Sequence, residues 1–488
     1  MRTTTTSSSG PRSTGGRSRS RRLALVGVAC AAAVLGGLQA PVSALPADRD
    51  KAGSPGAAGI GDDYFPRDGN GGYDVSRYSI HDRYRFAERR LSGWTRITLT
   101  PTKDLTRFNL DFLLDVGSVK VDGRLTPFRK PSPHELQVDP PGVLPSGRPV
   151  TVTVRYDDHP SSYSYAGERN WLADAHEVVA MNQPHMAPWW FPSNDHPLDK
   201  ATVDVHITVP AGLQVVSNGM PTGHDTANGL VTWHWRSAQP MVPYLAFFAA
   251  GSFDVARGRV DGRPWLVAVS KRLAPVVRAE AMSLLQETPG IVRWLDQQLG
   301  AYPFDSSGGL VTGLDPGFAL ENQTRPTYPS WVDHTTVVHE LAHQWFGDDV
   351  AVHHWSDIWL NEGSATYMEV RWAEGHGGQS TGSWLRSAYT GFAPWSLVVS
   401  DPGADHIFDF AVYQRGAMTL AALRNRIGDA DFTTLLRTWV ADHHAGNGST
   451  AQFRALAASV SGEDLDAFFT AWLDTPAKPA DTTDNGLG

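Results

Sequence analysis

The residues best suited to chemistry lie in Val337-Val-His-Glu-Leu-Ala-His-Gln-Trp-Phe346. His339 and His343 are four apart, so on a helix both imidazoles share one face. That is the bite a tetrahedral zinc ion needs, and Glu340 stands beside the open fourth position, placed to act on water. In a chain with 18 His and 12 Glu, chance supplies roughly one or two such patterns per hundred sequences. A third ligand is required, and eighteen residues separate His343 from Glu362 in Trp359-Leu-Asn-Glu-Gly-Ser-Ala-Thr-Tyr-Met-Glu369. Glu is the scarcer acid, 12 of 51, yet five of the twelve fall between 321 and 374. A longer carboxylate arm suits side chains that reach a metal or a substrate. Glu369 lies on nearly the same helical face as Glu362, as a partner for a ligand histidine or as a solvated helix acid. The same three ligands could accept cobalt or manganese. His134-Glu135 and His176-Glu177 lack a second histidine four residues on, and His353-His354 and His443-His444 lack ligand spacing. These are read as surface or loop histidines.

Two compositional regimes must position this motif. From about Tyr73 to Val269 short alternating runs recur, among them residues 96–100, 150–155, 201–209 and 231–235, the pattern of half-buried antiparallel strands. From about Ala274 the spacing becomes helical, first over 280–287 and 291–299, and later over 410–428 and 432–473. No internal repeat is visible. At 488 residues and 41% hydrophobic, the chain can bury one large or two ordinary cores, which excludes disorder and fibre.

Charge and leader narrow the function classes. The formal charge is −9, but residues 1–44 hold six Arg and no acid, leaving 36 basic against 51 acidic residues and −15 elsewhere. Nucleic acid is excluded as a partner on that balance. Arg17, Arg19, Arg21 and Arg22 precede the apolar stretch 23–40, and Val42-Ser43-Ala44 offers a cleavage site. Residues 1–44 are therefore expected to be a signal peptide, giving a secreted chain that starts near Leu45 with no stable membrane anchor; a retained anchor is the alternative. Ser20-Arg21-Arg22-Leu23 also resembles a twin-arginine export signal. The only Cys, Cys30, lies in this leader, so the processed chain has no disulfide.

The motif from His339 through Glu362, in an Asn-Glu-Gly context, resembles the gluzincin aminopeptidases of the aminopeptidase N type, and other segments extend the resemblance over nearly everything after the leader. Phe318-Ala319-Leu320-Glu321-Asn322 stands where the family has a Gly-x-Met-Glu-Asn strand, with Gly317 just before it. The resemblance implies that Glu321 binds the α-amine of the substrate while Gly317, Phe318, Ala319, Leu320 and Asn322 frame its backbone. Phe318 and Leu320 depart from the family pattern and put the first side-chain pocket in question. Gln183, nine residues before Pro192, is similar to the family's second amine contact, and Tyr413 in Phe410-Ala-Val-Tyr-Gln-Arg-Gly416 to its oxyanion donor.

The resemblance further implies an α+β architecture and one Zn2+ per chain. The layout is a polar linker (45–65), an N-terminal saddle-like antiparallel β-sheet domain (66–270), a mainly α thermolysin-like catalytic domain (271–476) and a flexible tail (477–488). It implies a short form without the large C-terminal helical domain of many relatives. The implied activity is release of the first residue from peptides with a free N-terminus. A thermolysin-like endopeptidase with an open cleft is the first alternative, and a non-catalytic peptide-binding protein on the same scaffold the second.

Overall fold

Alternation of branched and aromatic residues with polar ones drives residues 73–241 into sheet. The strand Tyr73–Arg85 buries Tyr73, Val75, Tyr78, Ile80 and Tyr84, and Val150–Asp158 buries every second residue from Val150 to Tyr156. The computed structural model describes residues 53–488, which form one compact unit; the Arg-rich leader and its cleavage site lie outside the described residues. Eight strands make the large sheet, in the order Met220–Ala227, Leu230–Met241, Ala201–Pro210, Tyr73–Arg85, Arg90–Pro101, Val150–Asp158, Val116–Val121 and Arg124–Thr126. Its pairing is antiparallel except where Ala201–Pro210 runs parallel to Tyr73–Arg85, which alternation by itself could not reveal. Two four-stranded sheets pack with it, one of them joining Ser54–Pro55, Leu105–Asp111, Glu135–Val138 and Phe128–Arg129.

The helical part follows. Pro275–Leu285 and Thr288–Leu299 lead to His334–Ala342, Trp359–Gly375, Thr381–Gly391, Phe410–Ile427, Asp429–Asp442 and Thr450–Ser461. No helix among the described residues is long and apolar enough to cross a membrane.

The expected domain edge at 270/271 is displaced. Phe253–Val260 and Arg263–Ser270 belong to a sheet with Ser307–Val311 and Thr327–Tyr328, strands that lie among the helices. Val267 and Val269 enter the helical core while Leu266 and Ala268 enter the β core. One strand thus serves both cores through its two faces, so no composition change marks the boundary.

The described part of the expected polar linker, residues 53–65, is packed, and so is the expected flexible tail. Within the supposed linker, Ser54 and Pro55 pair with Leu105 and Arg107, and Asp62 is 2% exposed. The tail closes on Arg415, whose buried guanidinium donates to the carbonyls of Trp395, Leu397, Ala471, Thr475 and Ala477. Leu487 is buried in the helical core. Backbone groups satisfied by partners far along the chain fix the tail and residues 54–56 of the linker.

Asp62 fastens the first of them. It accepts from the backbone N–H of Tyr64 (2.8 Å), Phe65 (3.1 Å) and Trp355 (2.8 Å), and lies 3.2 Å from His196 Nε2. Burial pushes the carboxyl up, but His196 and these N–H groups outweigh it and bring it down to about 2. A depressed folded pKa gives stability that is present above the unfolded value near 3.9 and is lost as pH falls through about 2. Asp62→Asn is expected to remove about 2 kcal/mol of stability at neutral pH and to flatten the acid limb between roughly pH 4 and 2. Parallel pH profiles of unfolding for the two proteins would contradict this.

Candidate metal centre and substrate cleft

The helix His334–Ala342 starts at Asp333, whose carboxylate accepts from the N–H and hydroxyl of Thr336. One turn in, His339 and His343 present their Nε2 atoms 3.1 Å apart. Each ring's Nδ1 faces an acceptor: Glu369 Oε1 at 2.6 Å from His339, and the Phe346 carbonyl at 3.0 Å from His343. With Nδ1 as the donor, both Nε2 lone pairs point inward, where Glu362 Oε2 lies 3.4 Å from each. Three donors held about 2.0–2.2 Å from one ion at tetrahedral angles stand roughly 3.3–3.5 Å apart, so this triangle fits a zinc-sized cation. Glu362 Oε1 is buried without a partner, as expected of a carboxylate shaped for a cation. Burial resists ionisation of Glu362, but His343 and His339 override it and lower its pKa to about 2. For His343 burial disfavours charge, and Glu362 raises it to about 9 regardless. The pocket therefore selects positive charge, which a dication supplies in place of protons.

Glu362 comes from Trp359–Gly375, which crosses Phe410–Ile427 at two glycines. A Cβ on Gly363 would stand 2.8 Å from Cα of Gly416, and one on Gly416 2.9 Å from Cα of Gly363. This close approach brings Tyr413 to the metal ligands, its ring stacked 6.0 Å from that of His339. It also explains the Gly that follows Glu362. Gly363→Ala is expected to cost about 1–3 kcal/mol of stability and, by shifting Glu362 and Tyr413 apart, roughly 10²-fold in kcat/KM. Normal melting and kinetics in that variant would refute the close-packing role.

A cleft of about 350 Å³ opens beside the triad, lined by Glu340, Glu369, Tyr413, Glu321, Gln183 and the segment Gly317–Ala319, with Trp331 at its mouth. Glu340 is 6% exposed; burial pushes its carboxyl up to about 8 against the pull of the two imidazoles. Burial also holds the Tyr413 phenol well above its usual pKa, reinforced by Glu362, so it stays a proton donor. Glu321 accepts from the Tyr244 hydroxyl at 2.7 Å, and its own carbonyl takes the Gln344 amide at 3.0 Å. Burial raises the Glu321 pKa. Gln183 has its Oε1 buried and without a partner.

Two expected substrate residues are turned elsewhere. Leu320 is wholly buried in the β core with both backbone groups paired to Thr327, and Asn322 Nδ2 donates to the Leu245 carbonyl at 3.1 Å. The expected strand over 318–322 is reduced to a single bridge at Leu320, because the segment turns immediately afterwards. Tyr244 and Gln344, which orient Glu321, went unnoticed in the sequence. Gln344 adjoins His343 and could have been suspected, whereas Tyr244 carries no local signal.

Family models match the two parts in order: a Peptidase M1 N-terminal domain over residues 136–245 and a Peptidase family M1 domain over 307–472. The chain belongs to peptidase family M1. Among curated M1 relatives, Aminopeptidase M1-D of Oryza sativa subsp. japonica is 27% identical over 444 residues, 83% of this chain and 50% of its own length. Aminopeptidase N of Lactococcus lactis subsp. cremoris is 29% identical over 374 residues, 69% of this chain and 43% of its own. The chain thus spans half or less of these M1 relatives. It superposes on the M1 zinc metallopeptidase from Deinococcus radiodurans with a TM-score of 0.78 at 28% identity, covering 86% of this chain and 99% of that one. A mutant of that enzyme has been solved with a Tyr-Ser-Ala substrate, at 27% identity and the same TM-score, covering 87% of this chain and 100% of that one.

Proposed function

We propose that this M1 peptidase is a zinc aminopeptidase that removes the first residue from peptides with a free N-terminus. The observation that carries the reading is a buried carboxylate, Glu321, and an unpaired acceptor, Gln183 Oε1, in the same cleft as the His339, His343 and Glu362 triad. A substrate ammonium donates to both and offsets the Glu321 charge, which fixes the first peptide bond over the triad. Zinc, when bound there, polarises the scissile carbonyl and acidifies water. Glu340 receives the water proton and passes it to the leaving amine. Tyr413 donates its phenol proton to the oxygen on which charge develops, and Glu369 keeps the His339 ring oriented.

Offering one short peptide free and N-acetylated, with and without chelator, tests this. Stepwise N-terminal loss from the free peptide alone supports the reading, whereas internal cuts in both would identify an endopeptidase. Tyr413→Phe is expected to lower kcat by roughly 10²-fold with KM little changed; an effect confined to KM would remove the tyrosine from the oxyanion role. The Arg-rich leader and Val42-Ser43-Ala44 support export with cleavage before Leu45. N-terminal sequencing of the chain recovered outside the cell checks this.

A further inference from the structure

A second set of inward-facing ligands lies in the β part. Asp111 and Glu135 face each other across the ladder between Leu105–Asp111 and Glu135–Val138, and His134 precedes Glu135. One ligand atom from each of Asp111, His134 and Glu135 falls within 4.8 Å of the others. The three are 0%, 3% and 5% exposed, so His134-Glu135 is not the surface pair its sequence suggested. Polar atoms so deeply buried ordinarily find partners. Here Asp111 Oδ1, His134 Nε2 and Glu135 Oε1 have none, and Asp195 Oδ2, held nearby by the hydrogen bond of its N–H to Asp111 Oδ2, has none either.

The spacing is that of ligands, not of hydrogen bonds. His134 Nδ1 is 3.7 Å from Asp111 Oδ1, the edge of the ring that faces the site, while Nε2 on the other edge lies 3.9 Å from Asp68 Oδ1. Cis ligands of an octahedral ion with bonds of about 2.1 Å stand roughly 3 Å apart and trans ligands about 4.2 Å, within reach of small side-chain rotations. Asp68 is served by the Tyr165 hydroxyl and by His185, 2.5 Å away, whereas among the described residues no Lys or Arg forms an ion pair with Asp111, Glu135 or Asp195. A cavity of about 520 Å³ lined by Arg67, Asp68, His134 and Tyr165 gives solvent a route to the cluster.

We propose that Asp111, His134 and Glu135, with Asp195 alongside, form a second divalent-cation site, separate from the catalytic triad. One imidazole among carboxylates suits Mn2+ or Zn2+. The site braces the cleft. Asp111 and Ser193 exchange backbone hydrogen bonds and Asp195 N–H binds the Asp111 side chain, which anchors the stretch that follows Gln183.

The test counts bound metal on the full chain after chelator treatment, reloading with Zn2+ or Mn2+ alone, and desalting. Two equivalents are expected for the wild type, and one for His343→Ala/Glu362→Gln, which lacks the catalytic triad. That variant should also melt at a higher temperature on addition of the ion. Asp111→Asn/Glu135→Gln should hold one equivalent and lose the part of the melting shift that the triad-less chain keeps. A single equivalent in wild type, or none in the cooperatively folded His343→Ala/Glu362→Gln chain, overturns the proposal. If Asp111→Asn/Glu135→Gln fails to fold, the triad-less chain decides the matter by itself.

Discussion

Glu340→Gln is expected to lower kcat by roughly 10²- to 10⁴-fold while the chain still carries its catalytic metal, the range that a positioned general base contributes. The substitution keeps size and shape in a pocket where the residue is 6% exposed, and the ligand triangle of His339, His343 and Glu362 does not include it. Packing and metal affinity should therefore change little, whereas an amide cannot take the proton. Metal content per chain and kcat, measured on one preparation, separate the two effects. Near-normal turnover would remove Glu340 from the mechanism, and lost metal would make it a structural support of the triad.

The second large effect is expected at Glu321. Its side chain is buried and oriented by the Tyr244 hydroxyl, and its backbone carbonyl is held by the Gln344 amide just past the zinc-binding helix, so an arriving ammonium meets an acceptor already in place. Removing one partner of such a buried charge pair costs about 2–4 kcal/mol, so Glu321→Gln should lower kcat/KM for free peptides by roughly 30- to 1,000-fold. Acetylated peptides, which never made the pair, should lose far less, so the ratio between the two substrates is the decisive reading. An unchanged ratio would transfer selection of the amine to another group, with Gln183 next in line.

The centre of the site was legible in the sequence because it rests on local geometry. His339 and Glu340 lie on one helix and His343 caps its C-terminus, still in helical conformation, so helical periodicity puts the two imidazoles on one face. Glu362 was legible through its spacing, and the helical stretches 280–287, 291–299 and 410–428 through apolar periodicity, although the first helix starts earlier, at Pro275.

What escaped the sequence depends on contacts between distant residues. Tyr244 and Glu321 meet across 77 positions, and Arg415 holds, at Ala477, the start of a tail that was expected to be flexible. His134-Glu135 looked like an ordinary exposed pair until the sheet set it against Asp111. Leu320 and Asn322 are adjacent in the chain to cleft residues, yet a turn sends both into the interior. The sequence by itself thus determined the family, the ligand types and the helix that carries the metal motif, since these follow from side-chain chemistry and a period of 3.6. Only the tertiary structure decided where the β part ends, how closely Gly363 and Gly416 let two helices approach, and which buried charges share a neighbourhood. Those depend on packing between segments far apart in the chain, which no local periodicity records.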